Sequence, residues 1–117
     1  MASIDRLIKE LKESCPPEVD KEQVRRILKY CFSEVRTGGK EDYIAVSEAA
    51  KKAYEILKND YGANEAKGYI FPFNHMGEIS IPTKSGRWVK KTYIEIIFKA
   101  YEKQQEIEKI FKEEEGE

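Results

Sequence analysis

The chain has 117 residues, a formal net charge of −1 and 40% hydrophobic residues, enough for one domain that buries roughly two thirds of its unfolded surface. Charged residues reach 37%, yet 11% of the chain is aromatic, which excludes an intrinsically disordered chain. No window approaches the ~18 apolar residues of a membrane span, and the charge-alternating N-terminus lacks the apolar block of a signal peptide, so neither is expected.

Lys plus Glu total 34 against six Asn plus Gln, and there are 13 Ile to four Leu. Ion pairs lose less to desolvation when hot, so this bias fits a thermophile, and an AT-rich genome produces a similar one. Cys15 and Cys31 form no metal or redox spacing. Cys31 lies eleven residues along a helix that begins at Asp20, about 16 Å along its axis. A disulfide needs Cα atoms within roughly 7 Å, so both thiols are expected free, in a reducing, cytoplasmic compartment.

In chain order, Ile4, Leu7, Ile8 and Leu11 recur at helical spacing behind an N-cap at Ser3, and Pro16-Pro17 ends this first helix. Asp20 and Gln23 form a capping-box pattern. Val24, Ile27, Leu28, Cys31 and Val35 then predict a second helix to about Arg36, stopped by Gly38-Gly39. Arg25, Arg26 and Lys29 lie on its polar face. A third helix is expected from about Ser47 to Tyr61, with Gly62 as its stop. "YIAV" at 43–46 reads equally as its first turn or as a short strand.

Residues 67–91, "KGYIFPFNHMGEISIPTKSGRWVKK", differ from the rest. Asn74 and Gly77 fit positions i and i+3 of a turn that pairs Phe73 with Glu78. A β-hairpin over 67–83 follows, with Ile70, Pro72, Ile79 and Ile81 on one face and Tyr69, Phe71 and Phe73 on the other. Pro72 and Pro82 restrict it to an edge. A long helix over 86–113 comes next, apolar almost all round at first and narrowing to Ile107, Ile110 and Phe111. Such a rod is longer than one small domain needs and is expected to pair with a second copy. An acidic tail, 114–117, closes the chain.

The expected architecture is α+β and mainly helical: three N-terminal helices, a β-hairpin with "YIAV" as its only candidate third strand, and a long C-terminal helix, all in one domain over 1–113. At best it resembles a winged helix with a C-terminal dimerisation helix. It departs from that pattern in a connection of about ten residues between helices two and three, where three or four are usual. Only one helix, not two, separates "YIAV" from the wing.

Charge is unevenly placed. Residues 67–94 carry Lys67, Lys84, Arg87, Lys90 and Lys91 against Glu78 alone, while residues 95–117 carry four basic and eight acidic side chains. Tyr69, Phe71, Phe73 and Trp88 fall in the same basic stretch. Cations that meet phosphates beside rings that stack on bases are what a nucleic-acid contact uses. The leading expectation is therefore a homodimeric nucleic-acid-binding protein that uses these nine residues. The alternative is a protein-interaction or oligomerisation module in which the aromatic face and long helix form an interface. An aromatic strand is more often covered than used for binding, and a pI near 6.0 falls short of a dedicated binder's basic footprint.

Catalysis has little to stand on. His75 is the lone histidine, in a turn, and no P-loop, GxGxxG or GxSxG is present. "TKSG" at 83–86 offers one glycine and one lysine before the last helix, an anion-binding end far short of a P-loop. No catalytic residue, metal ligand or cofactor is expected.

Overall fold

The computed structural model describes residues 3–37 and 42–115. Its elements are α1 (Ile4–Glu13), β1 (Glu18–Asp20), α2 (Lys21–Cys31), β2 (Glu34–Thr37), β3 (Tyr43–Val46), α3 (Glu48–Tyr61), α4 (Ala63–Ile70), β4 (Glu78–Ile81), β5 (Trp88–Lys90) and α5 (Lys91–Glu115). The fold is α+β and mainly helical, with a hairpin, a third strand beside it and a long last helix.

The three helix starts read from the sequence each carry a side-chain cap, Asp20 as a simple N-cap on Glu22 N in place of the expected capping box with Gln23. Ser3 Oγ accepts from Arg6 N at 3.3 Å, Asp20 Oδ1 from Glu22 N at 2.9 Å, and Ser47 Oγ from Ala50 N at 3.2 Å. Each satisfies one of the orphan donors of a first turn. Gly62, at φ +95°, ends α3 as read. The second helix stops five residues earlier than the sequence predicts. Phe32 is already extended, the Cys31 carbonyl accepts a 2.6 Å bond from Gln104 Nε2, and Ser33 Oγ donates to Val46 O at 2.8 Å. That exit lets β2 pair with β3. Gly38 and Gly39, the expected stop, lie outside the described residues.

The hairpin is not at 67–83. Strands β2 and β3 form it, in register Glu34↔Val46 to Thr37↔Tyr43, and β4 pairs on the other edge of β3, Tyr43↔Ile81 to Val46↔Glu78. "YIAV" is thus the central strand of the three. Residues 63–70 are helix α4, with Ala66 and Ile70 buried one turn apart. A short apolar run fits a helix or a strand by period alone, and here residues 63–70 coil while β4 takes β3 as its partner. The wing of a winged helix is accordingly missing from its place among the described residues.

The Asn74–Gly77 turn forms as read, but it joins α4 to β4. Gly77 N donates to Asn74 O at 2.9 Å and Asn74 N to Glu78 O at 2.9 Å. Gly77 has φ +73°, and an added Cβ there would stand 2.5 Å from Ser47 O. Only glycine lets this turn press against the start of α3.

One continuous core runs from Ile8 through Ile27, Leu28, Ile70, Ile81, Val89, Ile94 and Ile97 to Ile107. At 25 residues, α5 is about 37 Å long and spans most of the 42 Å longest dimension. It begins at Lys91, not 86, because residues 88–90 pair with β1. Its second half is flanked by α3, so Ile107 is buried, while Ile56 and Ile110 stay 44% and 40% exposed. Glu114 and Glu115 belong to this helix, and the last two residues of the acidic tail lie outside the described part. No helix among the described residues is long and apolar enough to cross a membrane.

Candidate nucleic-acid interface

The basic residues near the start of α5 are organised by a two-stranded ribbon that the sequence did not announce. Pro16-Pro17 ends α1, and the next three residues pair antiparallel with β5: Glu18↔Lys90, Val19↔Val89 and Asp20↔Trp88. Backbone bonds close both ends, Lys91 N to Pro17 O at 2.9 Å and Lys21 N to Arg87 O at 2.8 Å. Side chains alternate across a strand. Val19 and Val89 are buried, so Glu18, Asp20, Trp88 and Lys90 share the outer face. A tight turn feeds β5: Lys84 N donates to Trp88 O at 2.6 Å and Arg87 N to Lys84 O at 3.1 Å. Ser85 and Gly86 both sit at positive φ, 56° and 64°. "TKSG" therefore makes a turn ahead of a strand, not the N-terminus of a helix.

Two of the four cations here already have partners. Lys84 Nζ lies 3.1 Å from Glu18 Oε2, and Arg87 Nε lies 3.5 Å from Asp20 Oδ2. The Arg87 guanidinium also sits 4.9 Å over the half-buried Trp88 ring. Lys90 and Lys91 are exposed, and no carboxylate among the described residues stands within ion-pair distance of either. The cation ends of both pairs are exposed while Glu18 and Asp20 are half-buried; such partly exposed pairs are weak, so an incoming anion can compete with the two carboxylates. The first turn of α5 contains no acidic residue, leaving the positive end of its dipole uncompensated.

The aromatic face expected beside these cations does not exist. A helix turns about 100° per residue where a strand alternates by 180°, so α4 and the turn after it send the three rings to different surroundings. Tyr69 is half-buried, with Lys103 Nζ 4.9 Å from its ring centre. Phe71, beside the cis Phe71–Pro72 bond, is 68% exposed, whereas Phe73 is 3% exposed and meets Phe32 edge-on at 5.9 Å. Lys67 is exposed on α4, outside the ribbon. Of the nine residues singled out, Lys84, Arg87, Trp88, Lys90 and Lys91 come together; Lys67, Tyr69, Phe71 and Phe73 do not join them.

Two notches flank Lys84 and Lys90. One, about 530 Å³, is lined also by Cys15, Pro17, Glu18, Lys91 and Thr92; the other, about 260 Å³, by Pro82, Thr83 and Tyr93. Sequence reasoning missed Glu18 and Asp20 as charge partners, and missed Thr83 and Tyr93. Three residues after a Pro-Pro pair are too few to show a period, and a pairing across about 70 positions leaves no local signal.

Both thiols are free. Burial pushes the Cys31 thiol up to about 11, and burial raises Cys15 against the opposing charge of Lys91. His75 lies edge-on to Tyr54 at 6.2 Å. Among the described residues no group of three His, Cys, Asp or Glu side chains is placed to hold a metal ion. Compared with protein-family models, curated proteins and solved structures, the chain matches none of them.

Proposed function

We propose that this protein binds the phosphate backbone of a nucleic acid, using the outer face of the β1–β5 ribbon and the first turn of α5. The observation that carries the proposal is convergence: Lys84 and Arg87 reach Glu18 and Asp20 on the outer face of the ribbon, which Lys90 shares, and Lys84, Lys90 and Lys91 line one notch. Phosphate contacts need cations and free amides, and they fix register without reading sequence. Lys90 and Lys91 make the first contacts, with Thr92 beside them. Lys84 and Arg87 follow once phosphates displace their carboxylate partners. Trp88 offers one half-open ring at the same face, so stacking is a minor part of the interaction and sequence preference is weak. The test is fluorescence anisotropy with labelled single- and double-stranded oligonucleotides at low salt. Wild type binds, and the Lys90→Glu/Lys91→Glu double variant, folded by circular dichroism, loses at least about tenfold in affinity. Equal affinity for both proteins would sink the assignment.

A second reading, self-association through the last helix, is favoured by a specific feature of α3 and α5. Between them lies an apolar groove of about 130 Å³ lined by Ile56, Leu57, Ile107, Ile110 and Phe111, and two of its isoleucines are substantially open to solvent. Sedimentation of wild type against Ile110→Glu separates the readings, because a homodimer built on this groove dissociates in the variant while oligonucleotide affinity per chain is unchanged.

A further inference from the structure

We propose that the smaller notch, between the Thr83–Lys84 corner and the β5–α5 junction, seats a terminal phosphate group, the dianionic end of a bound strand. The inference rests on the nucleic-acid reading and specifies what one part of that surface takes. Three observations carry it.

The notch, about 260 Å³, is lined by Pro82, Thr83, Lys84, Lys90 and Tyr93, and no carboxylate is among its lining. The larger notch shares Lys84 and Lys90 and adds Lys91, but has Glu18 in its wall, so a second negative charge is opposed there by a carboxylate that the smaller notch lacks. Asp42, behind Thr83, accepts through Oδ1 from the Thr83 backbone N–H at 3.0 Å. The second observation is Thr83 Oγ1, which is buried and has no hydrogen-bond partner among the described residues. Buried hydroxyls are nearly always satisfied, and a rotation of the half-buried Thr83 side chain into the notch that this residue lines would offer the proton to a phosphate oxygen. Third, two ammonium groups and a hydroxyl match the charge and oxygen count of a phosphomonoester, which carries close to two negative charges near neutral pH. An internal phosphodiester carries only one.

Glu18 is the built-in competitor. Its Oε2 lies 3.1 Å from Lys84 Nζ, and Lys90 is its cross-strand neighbour. A phosphate in the notch draws Lys84 away from it, and Glu18→Gln therefore tightens phosphate binding.

The experiment compares one oligonucleotide sequence with a 5′-phosphate, a 3′-phosphate or hydroxyl ends, by anisotropy. In parallel, inorganic phosphate is titrated while amide shifts of Thr83 and Lys84 are followed. Wild type should prefer a phosphorylated end by about tenfold, the worth of one added charge-assisted contact. Thr83→Val should remove that preference while binding the hydroxyl-ended strand as wild type does, and Glu18→Gln should enlarge it. Comparable affinity for all three strands overturns the notch and leaves the backbone contact standing. If no strand binds but inorganic phosphate moves Thr83 and Lys84 in wild type and not in Thr83→Val, the notch stands as a site for a small phosphomonoester and the nucleic-acid reading fails. If neither strand nor phosphate binds, both fail.

Discussion

The two small sheets of this molecule use one alternation to different ends. In the three-stranded sheet, Tyr43 faces Ile81 and Ala45 faces Ile79, and all four are buried; its other face holds the Arg36–Glu78 ion pair. In the β1–β5 ribbon a single pair, Val19 and Val89, points inward, and the outer face is Glu18, Asp20, Trp88 and Lys90. The first sheet is cemented by apolar burial. The second is pinned by one valine pair and its backbone bonds, so its outer side chains are free to be chosen for charge. That difference separates the part of the chain that makes the fold from the part available for a ligand.

The sharpest way to break the comparison lies on the apolar side. Phe73→Ala should cost about 3–5 kcal/mol, as large-to-small changes in a core do, while Phe71→Ala should cost less than about 0.5 kcal/mol because its ring is exposed. Urea unfolding of the two variants measures this, and similar midpoints would mean the two rings do not differ in burial. Gly77→Ala comes next. It combines a left-handed φ with a Cβ driven into Ser47 O, so a loss of about 2–4 kcal/mol is expected in the same assay.

A pH titration gives an intermediate effect. The Cys31 thiol keeps its proton in the folded chain up to about 11, against 9.0 as the ordinary value. Between those pH values the unfolded chain releases a proton that the folded chain retains. The contribution is fully present below pH 9 and falls as pH rises toward 11, by an amount on the order of 2 kcal/mol. Urea midpoints at pH 8 and 10.5 should differ in wild type by more than in Cys31→Ala. Equal falls in both proteins would assign the pH dependence to other groups.

On the ribbon the expected stability effects are smallest. Lys84→Gln should change stability by less than about 1 kcal/mol, as exposed ion pairs do. Asp20→Ala should cost about 1 kcal/mol, because Asp20 also caps α2. A large loss in Lys84→Gln would make the ribbon's charges structural and would erase the contrast between the sheets.

What was legible in the sequence follows the same division. Helix starts at Ser3, Asp20 and Ser47 were readable because a cap is a local bond between neighbours, and so was the Asn74–Gly77 turn. The hairpin was misplaced because Ala66, Tyr69, Ile70, Phe71 and Phe73 fit either period, and the actual partner of β4, the distant strand β3, leaves no local signal. The basic cluster was visible as composition, and five of its nine named residues converge. Its neutralising acids were invisible, since Glu18 and Asp20 meet Lys84 and Arg87 only through the pairing of β1 with β5.

The most direct measurement is the salt dependence of oligonucleotide binding by the wild-type protein. A single strand held by Lys90 and Lys91 alone should give a slope of log K against log salt near −1.4, steepening toward about −2.8 if Lys84 and Arg87 also leave their carboxylates for phosphates. A slope in that range, flattened by Lys90→Glu/Lys91→Glu, is the result required of a phosphate-binding shoulder. Binding with no salt dependence, or none at low salt, would contradict it.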